Sequence, residues 1–366
     1  MNSVISAIGL ANPEFRFSQD QILEFMCNAH QLTDNESLRL KKLYELSGID
    51  YRHSVIPDFG LNTVSREFFG NGASLTPFPS TKARMDLYQT SAKGIAYLSV
   101  KNLLADTKDF KTSSITHLIT VSCTGMYAPG LDIDIQDEFT LSKNIERTCI
   151  NFMGCYGAFN ALKVADYICR ADKNAKVLMV AVELCTLHFQ RENTLQNWLS
   201  NSLFSDGAGA VLIEPEESRS TPIAFKMECF YNQLVNGAKH EMKWDIGDTG
   251  FEMYLSSNIA KNIKSKVSEV TMALIDKAGI SFPDISKLAI HPGGRRIIEV
   301  CEEALELPGQ SLTHSYEVLK QYGNMSSVTI LFVLARILKE SYQHERIMSF
   351  AFGPGLTFES MILKTV

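Results

Sequence analysis

The sequence predicts an α/β chain, on three observations. Strand-type runs and helical patterns alternate along its length, to about residue 215 and again from about Thr221. Some strand candidates are short unbroken apolar runs, as in residues 176–183 (KVLMVAVE), the pattern of parallel strands covered on both faces. Glycine-bearing turns separate one run from the next element, as in Gly154-Cys155-Tyr156-Gly157 and Ser205-Asp206-Gly207.

Taken in order, residues 3–9 read as a buried strand closed by Asn12-Pro13. Ser18 and Gln21 have capping-box spacing ahead of Ile22, Leu23, Phe25 and Met26, which opens a helix. A second helix is expected over 37–47. Residues 57–80, rich in Gly, Pro, Ser and Phe, read as a long surface excursion, and 81–104 as the next helix. HLITVS (117–122) is a strand leading into the loop CTGMYAPG; the DIDIQDE after it opens a helix whose first-turn acids Asp132 and Asp134 suit the helix dipole. An apolar approach over 150–153 enters the Cys155 turn, and Phe159, Leu162, Val164, Ala165 and Ile168 then share one helical face. The strand at 176–183, a polar loop with Trp198, and FSDGAGAVLIEP come next. The second part offers a strand to Leu234, a polar insertion, a helix over 255–278 and a short strand (288–290) ending at His291. Helices from about Arg295 and near Asn324, then strands at 347–352 and 356–363 joined by Gly353-Pro354-Gly355, complete it. No short-period repeat is present, and the residues show no duplication of the two parts.

Composition narrows the function. At 366 residues, 45% hydrophobic and 21% charged, the chain has room for two domains or one large two-part unit. A net charge of −6 places nucleic-acid binding at a disadvantage. Eight scattered cysteines include no CxxC pair and no zinc-ligand spacing, so they read as free thiols in a reducing compartment, with no metal. The N-terminus lacks a signal-peptide pattern. The apolar run 328–335 stops at Arg336, far short of the ~20 residues a membrane helix needs. A cytoplasmic protein without a membrane span is the expectation.

Cys155 sits where a strand breaks into a helix. The helix dipole and free backbone N–H groups there favour thiolate, which makes it a candidate nucleophile. The bland alternative is a small buried hydrophobe. His291 in LAIHPGGRRI ends a strand, and Asn324 in YGNMSS starts a helix. Singly, they read as a turn histidine and an N-cap, and Gly353-Pro354-Gly355 as a hairpin turn.

Together, and in this order, GCYGA, FSDGAGAVLI, HPGG, YGNMSS and FGPGLT resemble the thiolase-fold condensing enzymes, and most closely the type III polyketide synthases of chalcone-synthase-like kind. The resemblance runs from about the Cys123 loop to the C-terminus. It implies a thiolase-like α/β fold of two similar halves, residues 1–215 and 216–366, in αβαβα layers. It implies Cys155 as nucleophile with His291 and Asn324 as partners, CoA thioesters as substrates, no metal or redox cofactor, and a homodimer. The expected reaction is iterative condensation of malonyl-CoA onto an acyl group held on Cys155, with cyclisation to a resorcinol, pyrone or phloroglucinol type of product. A fatty starter is expected because the plant cavity residues are absent.

By the same resemblance Phe204 and Met253 flank the passage to the cavity, with Met253 where plant members carry phenylalanine. Cys123, Thr124, His188 and Ser326 line the cavity, and Ala128 replaces a bulkier residue on a loop that reaches the partner subunit. Lys41, Lys42 and Arg52 lie where the family places basic residues for CoA phosphates, although a basic helix face is also a simple solvated face. Other classes remain as alternatives: a single-round ketoacyl-ACP synthase III-like or hydroxymethylglutaryl-CoA synthase-like enzyme, a non-catalytic homologue acting as a scaffold, and a papain-type hydrolase. The last suits neither the strand–helix alternation nor the glycine-rich strings.

Overall fold

The computed structural model describes residues 2–60, 66–107, 110–308 and 311–366. The first half comprises β1 (Ser3–Ala11), β2 (Phe15–Ser18), α1 (Gln19–Ala29), α2 (Asp34–Leu46), β3 (Tyr51–Ser54), α3 (Thr81–Ala105), β4 (His117–Ser122), α4 (Leu131–Glu138), β5 (Glu146–Asn151), α5 (Gly157–Ala171), β6 (Val177–Leu184), α6 (Leu195–Leu203) and β7 (Asp206–Pro215). The second comprises β8 (Phe225–Leu234), β9 (Met242–Gly247), β10 (Gly250–Leu255), α7 (Ile259–Ala278), β11 (Lys287–Ile290), α8 (Arg295–Ala304), α9 (Thr313–Tyr322), α10 (Thr329–Lys339), β12 (Arg346–Gly353) and β13 (Thr357–Thr365).

Nine strands form one mixed sheet in the order β11-β12-β13-β8-β1-β7-β6-β4-β5. Read outward from the β1–β8 contact, the halves repeat each other. β1-β7-β6-β4 matches β8-β13-β12-β11, with antiparallel, antiparallel and parallel pairings in turn on each side. The duplication that the residues conceal is therefore plain in the topology.

Strand alternation builds the layers. Val177, Met179 and Ala181 of β6 face a central cluster with α5 and α10, while Leu178, Val180 and Val182 face α3. Ile347, Ala351, Met361 and Leu363 of the second half join the same central cluster. Met348, Phe350, Phe358 and Ile362 turn the other way, onto α7. The result is the αβαβα layering, with α5 and α10 enclosed between the two halves. α10 is apolar all round, with Ile330 to Leu334 buried in succession, as a helix covered on every side must be. Gly9 lets β1 meet α3: a Cβ there would lie 2.2 Å from the Ser99 carbonyl oxygen.

Four local expectations change. The 57–80 stretch is no loose excursion. Asp58 is buried and accepts the N–H groups of Glu67, Phe68 and Phe69 at 2.7–3.0 Å. Phe59, Phe69 and Phe78 pack with Phe189, and the first two also with Phe25. Residues 61–65 of that stretch lie outside the described residues. The loop with Trp198 is α6, capped by the Thr194 hydroxyl on the Asn197 N–H. The polar insertion is the β9–β10 hairpin, and α9 was not foreseen. The capping box is present: Ser18 and Gln21 exchange both hydrogen bonds. Among the described residues no helix is long and apolar enough to cross a membrane.

Candidate active site

The fold-level repeat brings two helix starts together. After β5 the chain turns through Phe152 (φ 58°) and Gly154 (φ 76°) into a single 3-10 turn that continues as α5. Gly154 is needed twice, for its left-handed backbone and because a Cβ there would lie 2.3 Å from Pro354 Cδ. This turn carries Cys155, 7% exposed. In the second half Asn324 and Ser326 (φ 48°) lead into the 3-10 turn that becomes α10. Left-handed backbone at a non-glycine residue costs about 1–2 kcal/mol, and both strained residues, Phe152 and Ser326, flank the site.

Asn324 is held from three sides. Its backbone N–H bonds Leu203 O and its carbonyl accepts Ser205 N–H, both at 2.9 Å. Its Nδ2 donates to Gly293 O at 3.0 Å, and its Oδ1 accepts the Ser326 N–H at 2.9 Å. The side chains of Ser326 and Asn324 also act on the Cys155 thiol, drawing its pKa down. His291 ends β11 and is 1% exposed; its backbone N–H bonds Phe350 O at 2.8 Å. Neither of its ring nitrogens has a hydrogen-bond partner. An unpartnered buried imidazole is costly unless a ligand completes it.

Cys155, His291 and Asn324 line one cavity of about 590 Å³, the size of a small-molecule site. Its walls are mainly apolar, including Leu43, Leu199, Leu255, Ile259, Ile263 and Phe352. Exposed Arg39, Lys42, Arg295 and Arg296 complete the lining at its rim.

Burial sets the charge state. It pushes the Cys155 thiol up to about 12, against the effect of Ser326 and Asn324, and draws His291 down to about 3. Burial thus opposes the resting thiolate that the helix end favours, and it favours a neutral imidazole. A neutral imidazole still offers one N–H donor and one acceptor nitrogen.

Beneath them lies Glu183, fully buried at the end of β6. Its Oε1 accepts the Ser327 hydroxyl (2.5 Å), and its Oε2 accepts Cys123 N–H and the Thr124 hydroxyl (both 2.9 Å). It ties β6, the Cys123 loop and the entry to α10 together. Burial raises it from 4.5 to about 7 despite those bonds. A carboxyl raised on folding stabilises the native state below its unfolded pKa and loses that contribution as pH rises through about 7. Glu183→Gln should therefore remove a decline in thermal stability between pH 4.5 and 7 worth up to about 3 kcal/mol. Melting curves of both proteins across that window read it; equal pH slopes would overturn the assignment.

The other predicted residues divide. Phe204 and Met253 line both the large cavity and a smaller pocket of about 40 Å³, so they form the partition between the two. His188 lines only the smaller pocket. Its Nε2–H donates to Thr124 O (2.7 Å) and its Nδ1 accepts Phe251 N–H (2.9 Å), which fixes a neutral ring. Cys123 Sγ accepts the Gly154 N–H at 2.9 Å, directly behind the Cys155 turn, and Thr124 is spent on Glu183 and Leu184 N–H. Neither residue belongs to the lining of the large cavity.

Lys42 is at the rim, but Lys41 lines a separate cleft with Asp20, Glu45 and Asp50. Arg52 is buried and placed elsewhere than at the rim. It donates to Gln19 Oε1 (2.9 Å), Asn201 O (2.6 Å) and Phe204 O (2.9 Å), so it braces the partition. Arg39, Arg295 and Arg296 were missed. Arg39 lies one turn before Lys42 on α2, and the arginine pair directly follows HPGG; those spacings were the available signal. Among the described residues no group of three or more His, Cys, Asp or Glu could hold a metal ion.

Comparison with known proteins bears on the same assignment. Residues 2–216 match the N-terminal domain, and 226–366 the C-terminal domain, of the family described as chalcone and stilbene synthases. The alpha-pyrone synthesis polyketide synthase-like Pks18 of Mycobacterium tuberculosis is 30% identical over 336 residues, 90% of this chain and 82% of that protein. Polyketide synthase 37 of Dictyostelium discoideum is 28% identical over 369 residues, 91% of this chain, which spans only 12% of that longer protein. The crystal structure of the C-terminal type III polyketide synthase domain of Steely1, a type I/III hybrid from Dictyostelium, has a TM-score of 0.92 at 27% identity, covering 100% of both chains. With both domain families matched in order over residues 2–216 and 226–366, the chain belongs to the chalcone and stilbene synthase family of type III polyketide synthases.

Proposed function

We propose that the protein extends an acyl-CoA starter, held on Cys155, with malonyl-CoA units, and cyclises the product to a pyrone, resorcinol or phloroglucinol type of ring. The observation that carries this is the convergence of Cys155, Asn324 and an unpartnered His291 on one apolar cavity. As Cys155 sulfur attacks the starter's thioester carbon, its proton passes to the acceptor nitrogen of His291. The carbon–sulfur bond to CoA breaks, and the departing thiolate takes that proton back.

Malonyl-CoA then enters. Its bond to the carboxylate carbon breaks, carbon dioxide leaves, and the electron pair forms an enolate. The N–H of His291 and the second N–H of Asn324 Nδ2 stabilise the enolate oxygen, in a cavity where such bonds are strengthened by exclusion of water. The enolate carbon attacks the acyl-cysteine carbonyl, the bond to Cys155 breaks, and the sulfur takes up a proton from solvent. The lengthened thioester returns to Cys155 for another round. Arg39, Lys42, Arg295 and Arg296 at the rim suit the phosphates of CoA. The name of Pks18 favours a pyrone among the three product types.

Labelled malonyl-CoA with a panel of acyl-CoA starters tests the reading. Two or more extender units per product are expected. One unit would make this a single-round condensing enzyme, and no product with any starter would leave a non-catalytic homologue.

A further inference from the structure

The last carbonyls of a helix have no partner within it. At the end of α6 three of them are met from outside. Asn201 O accepts from Arg52 Nη1 at 2.6 Å, Ser202 O from Gln19 Nε2 at 2.9 Å, and Leu203 O from the Asn324 backbone N–H at 2.9 Å. Arg52 Nη1 also donates to Phe204 O (2.9 Å), and its Nε donates to Gln19 Oε1 (2.9 Å). Asn324 O in turn accepts the Ser205 N–H. Residues 201–205 thus form a shelf, held by Arg52 from one side and carrying Asn324 on the other.

Arg52 also touches the segment of Asn324 itself. A Cβ on Gly323 would lie 2.9 Å from Arg52 Cγ, so the arginine stem packs directly on the residue before Asn324. Arg52 is 3% exposed, and its Nη2 has no hydrogen-bond partner among the described residues. Burying a cation in this way is costly. Geometry explains why an arginine stands there. Its rigid fork reaches three oxygens at once, and its positive charge suits the C-terminal end of a helix.

We propose that Arg52 is the positioning residue for Asn324: by fixing the shelf on which that backbone sits, it sets the aim of the carboxamide N–H at the enolate formed from malonyl-CoA. The inference rests on the condensing reading above. It gives Arg52 a part in decarboxylation. It gives Arg52 no part in holding CoA, because Arg52 is absent from the lining of the large cavity. Acylation of Cys155 is likewise independent of it, since none of these bonds includes that residue.

The test compares carbon dioxide release from malonyl-CoA without starter in the wild type, R52Q, N324A and the double variant, beside thermal unfolding of each. In R52Q kcat should fall by about 10²-fold, the loss that a ~1 Å misplacement brings, with KM for malonyl-CoA unchanged. On the N324A background R52Q should remove about twofold or less, because no carboxamide is left to aim. Acylation of Cys155 from an acyl-CoA, followed by intact mass, should keep its wild-type rate in R52Q. R52K, which keeps the charge but not the fork, decides by the same readouts if R52Q fails to fold. The full loss repeated on N324A, a rise in KM alone, or equal slowing of acylation and decarboxylation would overturn the proposal. A wild type that neither releases carbon dioxide nor makes product would instead overturn the condensing reading itself.

Discussion

Cys155→Ala should abolish polyketide formation, with a rate loss of about 10⁴-fold or more, the scale seen when a covalent nucleophile is removed. The substitution leaves the turn intact, because neither the Gly154 backbone nor the bonds of Asn324 with Gly293 O and Ser326 N–H involve the thiol. Intact-mass measurement after incubation with an acyl-CoA should show one acyl group on the wild type and none on the variant. Cys123 should not take over: burial and the neighbouring Glu183 hold its thiol well above the ordinary range. Alkylation of the unliganded wild type at Cys155 should climb steadily toward alkaline pH without levelling near neutrality, since that thiol stands near 12. Product from the alanine variant would end the covalent mechanism.

His291→Ala is the second large effect. Deleting one donor to a developing oxyanion costs about 10²–10³ in rate. Release of carbon dioxide from malonyl-CoA without any starter isolates that step and should fall by this amount. Because His291 is neutral down to about 3, no acid limb near pH 6.5 should appear in that rate. His291→Asn, which keeps a donor, should recover part of the loss. Equal activity in the wild type and the alanine variant would remove the enolate role.

Much of this was legible in the residues, for identifiable reasons. β4, β6 and β11 announce themselves as apolar runs, α5 by its one-sided face, and α1 by a real capping box. Cys155, His291 and Asn324 were legible through the turns that carry them, and the cavity does unite them. α6 escaped because LQNWLSNSL is rich in Ser and Asn, which favour turns and caps over helix interiors. Lys41, Lys42 and Arg52 show only charge in the sequence; orientation sends one to the rim, one to another cleft and one inward onto backbone carbonyls. Glu183 was passed over as the end of a buried strand, yet an acid closing an otherwise apolar run was itself a pointer to a special site. The helix-end argument for a thiolate omits desolvation, which acts against it at this buried position.

The β1–β8 seam consists of Val4 opposite Lys226 and Ile5 opposite Phe225. Nascent chain leaving the ribosome carries Cys155 long before His291 and Asn324, which line the same cavity. Until β8 is made the margin of β1 stays uncovered, and until α10 follows so does one face of α5, and such surfaces invite aggregation. A fragment cut between the halves would lack part of the cavity lining and leave the central apolar cluster half exposed.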